Sequence, residues 1–407
     1  MFVDEARTPL IIASDTHDAE HTALVQLALE VASTLREDEH FTVDRGRRRV
    51  SLEAEGREAI AAVDADVPLF RVALYREELL TQALAALHLF RRDEQYLVRD
   101  GEVQIIDENT GRVMPGRSWT RGLHQMVEAK EKCAISPARD TLAQISYQRF
   151  FRRYRRLSGM SGTASEVRDE MWRVYRTPVV RIAPRVDSQR VRLPDRVLPT
   201  EAEKWASVTA QVLAMSGQGR PVLVGTRTVR ASEALSANLT DAGISHELLN
   251  ARQDADEAAT VARAGQVGAV TVATNMAGRG TDIRLGEGVA ARGGLHVIAT
   301  ERHEAGRIDR QLIGRCGRQG DPGSFEFILS LEDALVDSDR SGWRLRLRRA
   351  LQRILGGGAV FAGPGAALAG ALLASAQRRV QKTHSRLRRE LVRSDRDEAK
   401  QLAFSGK

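Results

Sequence analysis

The chain has 407 residues, 42% of them apolar and 28% charged. At roughly 150 residues per domain this is two or three domains with substantial cores, which excludes global disorder and a small disulfide-stapled scaffold. Two cysteines, Cys133 and Cys316, are too few for a disulfide framework or a zinc knuckle and fit a reducing compartment. The net charge of +7 is unevenly spread: residues 340–407 hold 16 basic and 4 acidic residues, a balance of +12, against −5 for the remainder. Such a tail attracts nucleic acid, anionic lipid or an acidic partner, or is a helix with a solvated basic face. Only 6 of the 61 cations are lysine, so arginine number also reflects compositional bias.

Met1 runs directly into Phe2-Val3-Asp4-Glu5, without the basic-then-apolar order of a signal peptide. Residues Phe2 to Ile12 read as a strand end, an acidic pair and a turn at Pro9, followed by a helix from about His17 to Arg36. Two hairpins come next. Phe41-Thr-Val43 and Val50-Ser-Leu52 flank a turn around Gly46, and Tyr96-Leu-Val98 and Val103-Gln-Ile-Ile106 flank Asp100-Gly101, a pair suited to positive backbone angles. Between them Leu69 to Phe90 carries apolar residues at helical spacing. This block has little alternation of strand and helix and reads as a separate α+β module.

From about Asp195 the pattern changes. Short apolar runs at Pro221–Gly225, Ala269–Ala273, Leu295–Ile298 and Phe325–Ile328 are separated by helical stretches near Glu201–Met215, Val229–Ala242, Ala255–Ala264 and Glu304–Ile313. That alternation implies a parallel sheet covered on both faces, with ligands at the carboxyl ends of its strands. The last long uncharged stretch, Ile354 to Ala376, has the length to cross a bilayer, but its Gly/Ala composition and Pro364 favour a connector.

Four constellations carry chemistry. Thr274-Asn-Met-Ala-Gly-Arg-Gly-Thr-Asp282 follows an apolar run; Gly278 and Gly280 permit a sharp turn and close approach to a ligand, and Arg279 and Asp282 bring a cation and an acceptor. The second runs from Glu301 to Asp321. On a helix, Ile308, Leu312 and Cys316 form an apolar stripe, while Gln311, Arg315 and Arg318 share another face, where two guanidiniums could clamp the charge of a phosphoryl transfer. Gly314, Gly317 and Gly320 are poor helix formers and suit a loop better. Asp4-Glu5 has the form of a Walker B end, one carboxylate holding Mg²⁺ through water and the next orienting the attacking water. Gly159-Met-Ser161-Gly162-Thr163-Ala is a turn suited to coupling a nucleotide site to its neighbour.

Taken in chain order, acidic pair, Ser-Gly-Thr turn, Gly-Arg-Gly loop and twin-arginine stretch, the four resemble motifs II, III, V and VI of superfamily 2 motors, and their wording resembles the SecA preprotein translocase family. Asp4 to Ile12 is similar to its motif II and flank, and Ile106 to Arg117 with Trp119 and Gly122-Leu-His-Gln125 to the end of its preprotein-cross-linking domain. Asn275 to Ile283 and Gln311 to Asp321 are similar to its second motor domain, and Ala376-Gln-Arg-Arg-Val380 to the start of its helical scaffold. The resemblance covers nearly the whole chain. It implies an α/β fold divided into a first-motor remnant (1–14), a preprotein-cross-linking-like module (15–142), a return to the first motor (143–184), a RecA-like second motor domain (185–335), a connector (336–376) and the start of the scaffold (377–407). By the same resemblance Asp4 coordinates Mg²⁺, Glu5 is the general base, and Gly278, Arg279, Gly280, Thr281, Asp282 and Gln311 bind ATP. Arg315 and Arg318 are finger residues, and Gly159, Ser161, Gly162 and Thr163 belong to the coupling motif.

The implied partners are unfolded preprotein, the Sec channel and anionic lipid, with a cytoplasmic or peripheral membrane location. The sequence holds no Gly-x-x-x-x-Gly-Lys-[Ser/Thr] phosphate loop, so the expectation is a truncated protein that needs a second chain for that loop and does not hydrolyse ATP alone; no zinc is expected. Residues Phe2–Ile12 and Arg156–Ile182 are then expected to be fragments of an incomplete sheet with uncovered apolar surface. A non-catalytic polypeptide- or channel-binding remnant is the alternative. The inserted module argues against a nucleic-acid helicase fragment.

Overall fold

The computed structural model describes residues 9–16, 19–44, 49–63, 67–106, 113–114, 117–119, 122–250, 257–274, 281–337, 346, 349–350 and 364–404. They fall into two compact units, one comprising Ile11–Glu108 with Arg112–Gln144 and the other Ile145–Lys407 together with the first two described residues, Pro9 and Leu10.

In the first unit β1 (Pro9–Thr16) leads into α1 (Ala19–Thr34). Pro9 does not make the expected turn; it opens the strand, where its fixed φ and missing N–H are tolerated, and Leu10-Ile11-Ile12 extend it. The first hairpin joins β2 (Phe41–Asp44) to β3 (Arg49–Leu52), its turn around Gly46 lying outside the described residues. After α2 (Ala54–Ala61) and α3 (Ala73–His88), the second hairpin pairs β4 (Tyr96–Arg99) with β5 (Glu102–Ile105). Asp100 and Gly101 have φ of 54° and 78°, the mirror-image turn that matches the twist of the strands. Helix α4 (Leu123–Lys130) completes the core, in which Leu24, Phe41, Leu80, Leu84, Tyr96 and Met126 are fully buried. Glu128 Oε2 accepts from Ser136 N at 2.8 Å, tying α4 to the segment that enters β6 (Ala138–Ser146), the partner of β1.

The second unit begins with α5 (Tyr147–Phe151) and a broken helical segment, Ala164–Tyr175, containing the single α-turn α6 (Arg168–Glu170). Residues 156–182 contain no strand, contrary to expectation: an extended segment becomes a strand only when it has a ladder partner, and this one finds none among the described residues. Met160, Val180 and Ile182 are nonetheless exposed.

Beyond it lies a seven-stranded, all-parallel sheet in the order β10 (Glu247–Leu249), β11 (Val270–Thr274), β9 (Val222–Thr226), β12 (Leu295–Ala299), β13 (Gly323–Ser330), β7 (Arg190–Arg192), with β8 (Arg196–Leu198) also pairing with β13. Every residue of β9, β11, β12 and β13 is buried, as two covered faces require. Alternate residues serve opposite cores. Val222, Val224, Val272 and Ile298 pack with Trp205, Val208 and Leu235 of α7 (Glu201–Gly217) and α8 (Val229–Asp241). Leu223, Ala273, Val297 and Phe327 pack with Val261 of α9 (Glu257–Arg263) and with the long C-terminal helix. Thr200 and Thr228 cap α7 and α8 by accepting from Glu203 N and Ala231 N. Helix α10 (Gly306–Ile313) follows β12, α11 (Ala334–Asp337) follows β13, and the C-terminal helix α12 runs from Pro364 to Phe404. Among the described residues no helix is long and apolar enough to cross a membrane; residues 354–363 lie outside them.

Lys204 of α7, 1% exposed, donates to Asp333 Oδ1 at 2.7 Å and so fixes α7 to the end of β13. Lys204→Met strands a buried carboxylate and is expected to lower stability to urea by about 3–5 kcal/mol, whereas the double change with Asp333→Asn, which removes both charges, loses less.

Candidate functional site

The carboxyl end of β11 opens on a cavity of about 590 Å³ lined by Thr163, Thr274, Thr281, Asp282, Gln311 and Arg315 among others. Helix α10 supplies one wall. It is only two turns long and ends at Ile313, with Gly314 as its C-cap. Arg315, Cys316 and Arg318 therefore lie in the turn beyond the helix, where the three glycines suit the chain, and Gln311, Arg315 and Arg318 do not share a helical face. The glycines end the helix, and the turn brings the three side chains to the cavity by another route.

Close backbone approach holds this turn in place. A Cβ on Gly323, at the start of β13, would lie 2.6 Å from Gly317 N, and one on Gly225, in β9, 2.3 Å from Leu312 Cδ2. Gly317 also has φ of 61°. Arg190 Nε and Nη2 both donate to Cys316 O, at 2.9 and 2.7 Å. Burial pushes the Cys316 thiol up.

The predicted residues meet here. Gln311 Nε2 donates to Thr163 Oγ1 at 3.4 Å, and Arg315 Nη1 to Thr281 O at 3.2 Å. Arg318 Nη1 donates to Asp282 Oδ1 at 2.7 Å while its Nε holds Gly314 O. Ser161 Oγ accepts from Thr163 N at 3.2 Å, shaping the coupling turn. Gly159 and Gly162 would tolerate a Cβ, with nothing within 4 Å of it, so packing does not require glycine at either position. Asp4, Glu5, Gly278, Arg279 and Gly280 lie outside the described residues.

Sequence reasoning passed over Arg190 and Arg310, which also line the cavity, and Glu166, which pairs with Arg310. Burial lowers the Arg310 pKa. Adjacency to Gln311 was the available signal for Arg310; no local pattern marks Arg190 or Glu166. Four guanidiniums against the single Asp282 carboxylate make a lining suited to a polyanion with fork-accepting oxygens.

Behind the wall Asp309, 2% exposed, accepts from His303 N at 2.9 Å and His303 Nδ1 at 2.7 Å, with Arg302 Nη1 at 3.3 Å. Burial alone would raise its pKa, but the His303 bonds and the hydrogen bond from Gln377 outweigh it and hold the carboxyl below its ordinary value. A depressed folded value gives stability that is complete above the ordinary carboxylate pKa of about 3.9 and is lost as the pH falls through the lower one. Asp309→Asn should therefore flatten the acid limb of the stability profile, measured by urea unfolding. Gly323→Ala should displace the arginine turn and destabilise the unit by about 1–3 kcal/mol in the same assay, with faster amide exchange at residues 314–318.

A family model described as the SecA P-loop domain matches residues 187–291 and 287–345, and one described as the SecA preprotein cross-linking domain matches residues 20–128. Protein translocase subunit SecA 2 of Bordetella avium (strain 197N) is 50% identical over 100% of this chain and 60% of its own length. SecA 2 of Nitrosospira multiformis is 47% identical over the same shares, and SecA of Nitratidesulfovibrio vulgaris (strain DP4) is 46% identical over 83% of this chain and 40% of itself. The chain thus spans about 60% of the length of the first of these relatives. With a SecA P-loop domain on the parallel sheet, a preprotein cross-linking domain and a helical C-terminal segment, the chain belongs to the SecA family.

Proposed function

We propose that the chain is part of a SecA-type motor that couples ATP to the movement of unfolded preprotein through the Sec channel, and that its cavity receives the triphosphate. The observation that carries this reading is the convergence of Gln311, Arg315 and Arg318 with Thr163, Thr281 and Asp282 at the carboxyl end of β11, where parallel sheets bind their ligands. Arg315 and Arg318 would offset charge developing on the transferred phosphoryl group, and Gln311 would link that event to the Thr163 turn. Gly278, Arg279 and Gly280 would complete the nucleotide loop. Glu5 would orient the attacking water. Mg²⁺, held through water by Asp4 in this reading, would neutralise charge on the phosphate oxygens.

The sequence contains no Gly-x-x-x-x-Gly-Lys-[Ser/Thr], so the β- and γ-phosphates find no backbone cradle in these 407 residues. In this reading the loop lies outside these 407 residues, and they do not hydrolyse ATP without it. The unit of Ile11–Gln144 would hold extended preprotein, chiefly through its backbone, which suits many client sequences. The exposed row Arg378, Lys382, Arg386, Arg389, Arg393 and Arg396 along α12 supports contact with anionic lipid.

The test is steady-state ATP hydrolysis by the purified chain, alone and with a second chain carrying the phosphate-loop half of a relative. No turnover is expected alone and measurable turnover with the partner, and Arg315→Ala should reduce the latter by about 10³-fold or more with folding unchanged. Turnover by the chain alone would contradict the division of labour. Absence of turnover with the partner would favour a polypeptide- or channel-binding role without catalysis.

A further inference from the structure

Helix α10 carries Gln311 and leads into the arginine turn, yet its length and cap explain little of its order. Eight residues are too few for a helix to hold itself in water. Its N-cap, Ala305, offers no side chain to the first-turn amides. Besides the preceding loop, a contact from 68 residues away in the chain fixes the start of the helix. Gln377 of α12, 8% exposed, uses both N–H groups of its amide there: Nε2 donates to His303 O at 2.8 Å and to Asp309 Oδ2 at 2.7 Å. Its Oε1 lies so close to the first residue of α10 that a Cβ on Gly306 would sit 3.7 Å from it.

Asp309 is thus the meeting point of three segments. His303 reaches it from the loop before the helix through N and Nδ1, Arg302 through Nη1, and Gln377 from α12. Arg302 is itself held over the Phe327 ring, 3.7 Å from its centroid, and paired with Asp195 at 3.2 Å. Two residues beyond Asp309 is Gln311, bonded to Thr163, and six beyond is Arg315, bonded to Thr281. A shift of the first turn is carried along so short a rigid segment to both. A second side chain of α12 reaches the same loop, His384 Nδ1 lying 3.4 Å from Glu304 Oε2, whereas Arg388 acts elsewhere, pairing in two bonds, at 2.5 and 2.8 Å, with Glu170.

We propose that Gln377 is a positioning residue for the cavity: through Asp309 and His303 O it fixes the first turn of α10 and thereby the placement of Gln311 and Arg315. Its functional meaning rests on reading the cavity as a nucleotide site. Its structural content does not.

The experiment uses the full chain with Cys133→Ser, which leaves Cys316 as the single thiol. That thiol is 1% exposed and donates to Ile313 O at 3.2 Å, so its rate of labelling by a disulfide reagent reports opening of the turn. Gln377→Leu should raise that rate, and amide exchange over residues 306–313, by about tenfold, with exchange in β9 unchanged. Gln377→Lys, which keeps N–H donors at similar reach, should stay near wild type, and so should Arg388→Met. If the leucine variant does not fold, the isosteric Gln377→Glu, which replaces both donors by acceptors, carries the same expectation. Unchanged labelling and exchange in the donor-less variant would overturn the proposal. So would equal acceleration in Arg388→Met, because the effect would then be general undocking of α12. With the phosphate-loop partner, Gln377→Leu should lower kcat about tenfold with a smaller change in KM, and unchanged kcat would also overturn it. Should wild type show no turnover with the partner, the nucleotide reading fails, and labelling and exchange still decide the positioning role.

Discussion

A charged carboxylate withdrawn from water must be met by donors, and at Asp309 that requirement organises the whole cavity wall. The residue sits in a helix too short to be stable alone, and its partners come from the preceding loop and from the C-terminal helix. A buried anion left with too few donors costs more than the individual hydrogen bonds return. The helix start is therefore held in one place, and the two-arginine turn follows from it. Glycine completes the arrangement from the other side. Gly323 lets the backbone of Gly317 lie against the sheet closer than a Cβ would permit, and Gly225 leaves room for the Leu312 side chain.

The same polar logic explains why the cavity residues are engaged with one another. Arg318 is paired with Asp282, Arg315 with a backbone carbonyl, Gln311 with Thr163, and Arg310 with Glu166. Arg318 and Asp282 are both partly exposed, with 35% and 42% of their side chains accessible, and a partly solvated ion pair is cheap to exchange for a stronger anion. A phosphate chain offers such an anion. The Asp309 cluster, being buried, is not exchangeable in this way, so the site combines a fixed base with replaceable contacts at its mouth.

Much of the fold was legible. Asp100-Gly101 specifies its hairpin through positive φ, and the apolar runs after Asp195 alternate with helices as a parallel sheet demands. A shared helical face is not what joins Gln311, Arg315 and Arg318: the three converge because Gly314 ends the helix, in keeping with the poor helix-forming glycines of this stretch. Pro9 was misplaced because its tolerance at the start of a strand depends on the partner strand, which local sequence does not reveal. Residues 156–182 were expected in strands, but extended chain without a ladder partner stays irregular. Gln377, Asp309 and Gly323 were illegible because their importance lies in contacts between distant segments, and one sequence carries no trace of such proximity.

The central claim is that Arg315 and Arg318 grip the phosphates of a nucleotide in this cavity. A structure of the chain together with a phosphate-loop partner and a non-hydrolysable Mg·ATP analogue tests it most directly. The account predicts a terminal phosphate within hydrogen-bonding distance of both guanidiniums, with the Arg318–Asp282 pair broken. A nucleotide bound elsewhere, with that pair intact and the cavity empty of phosphate, would contradict it.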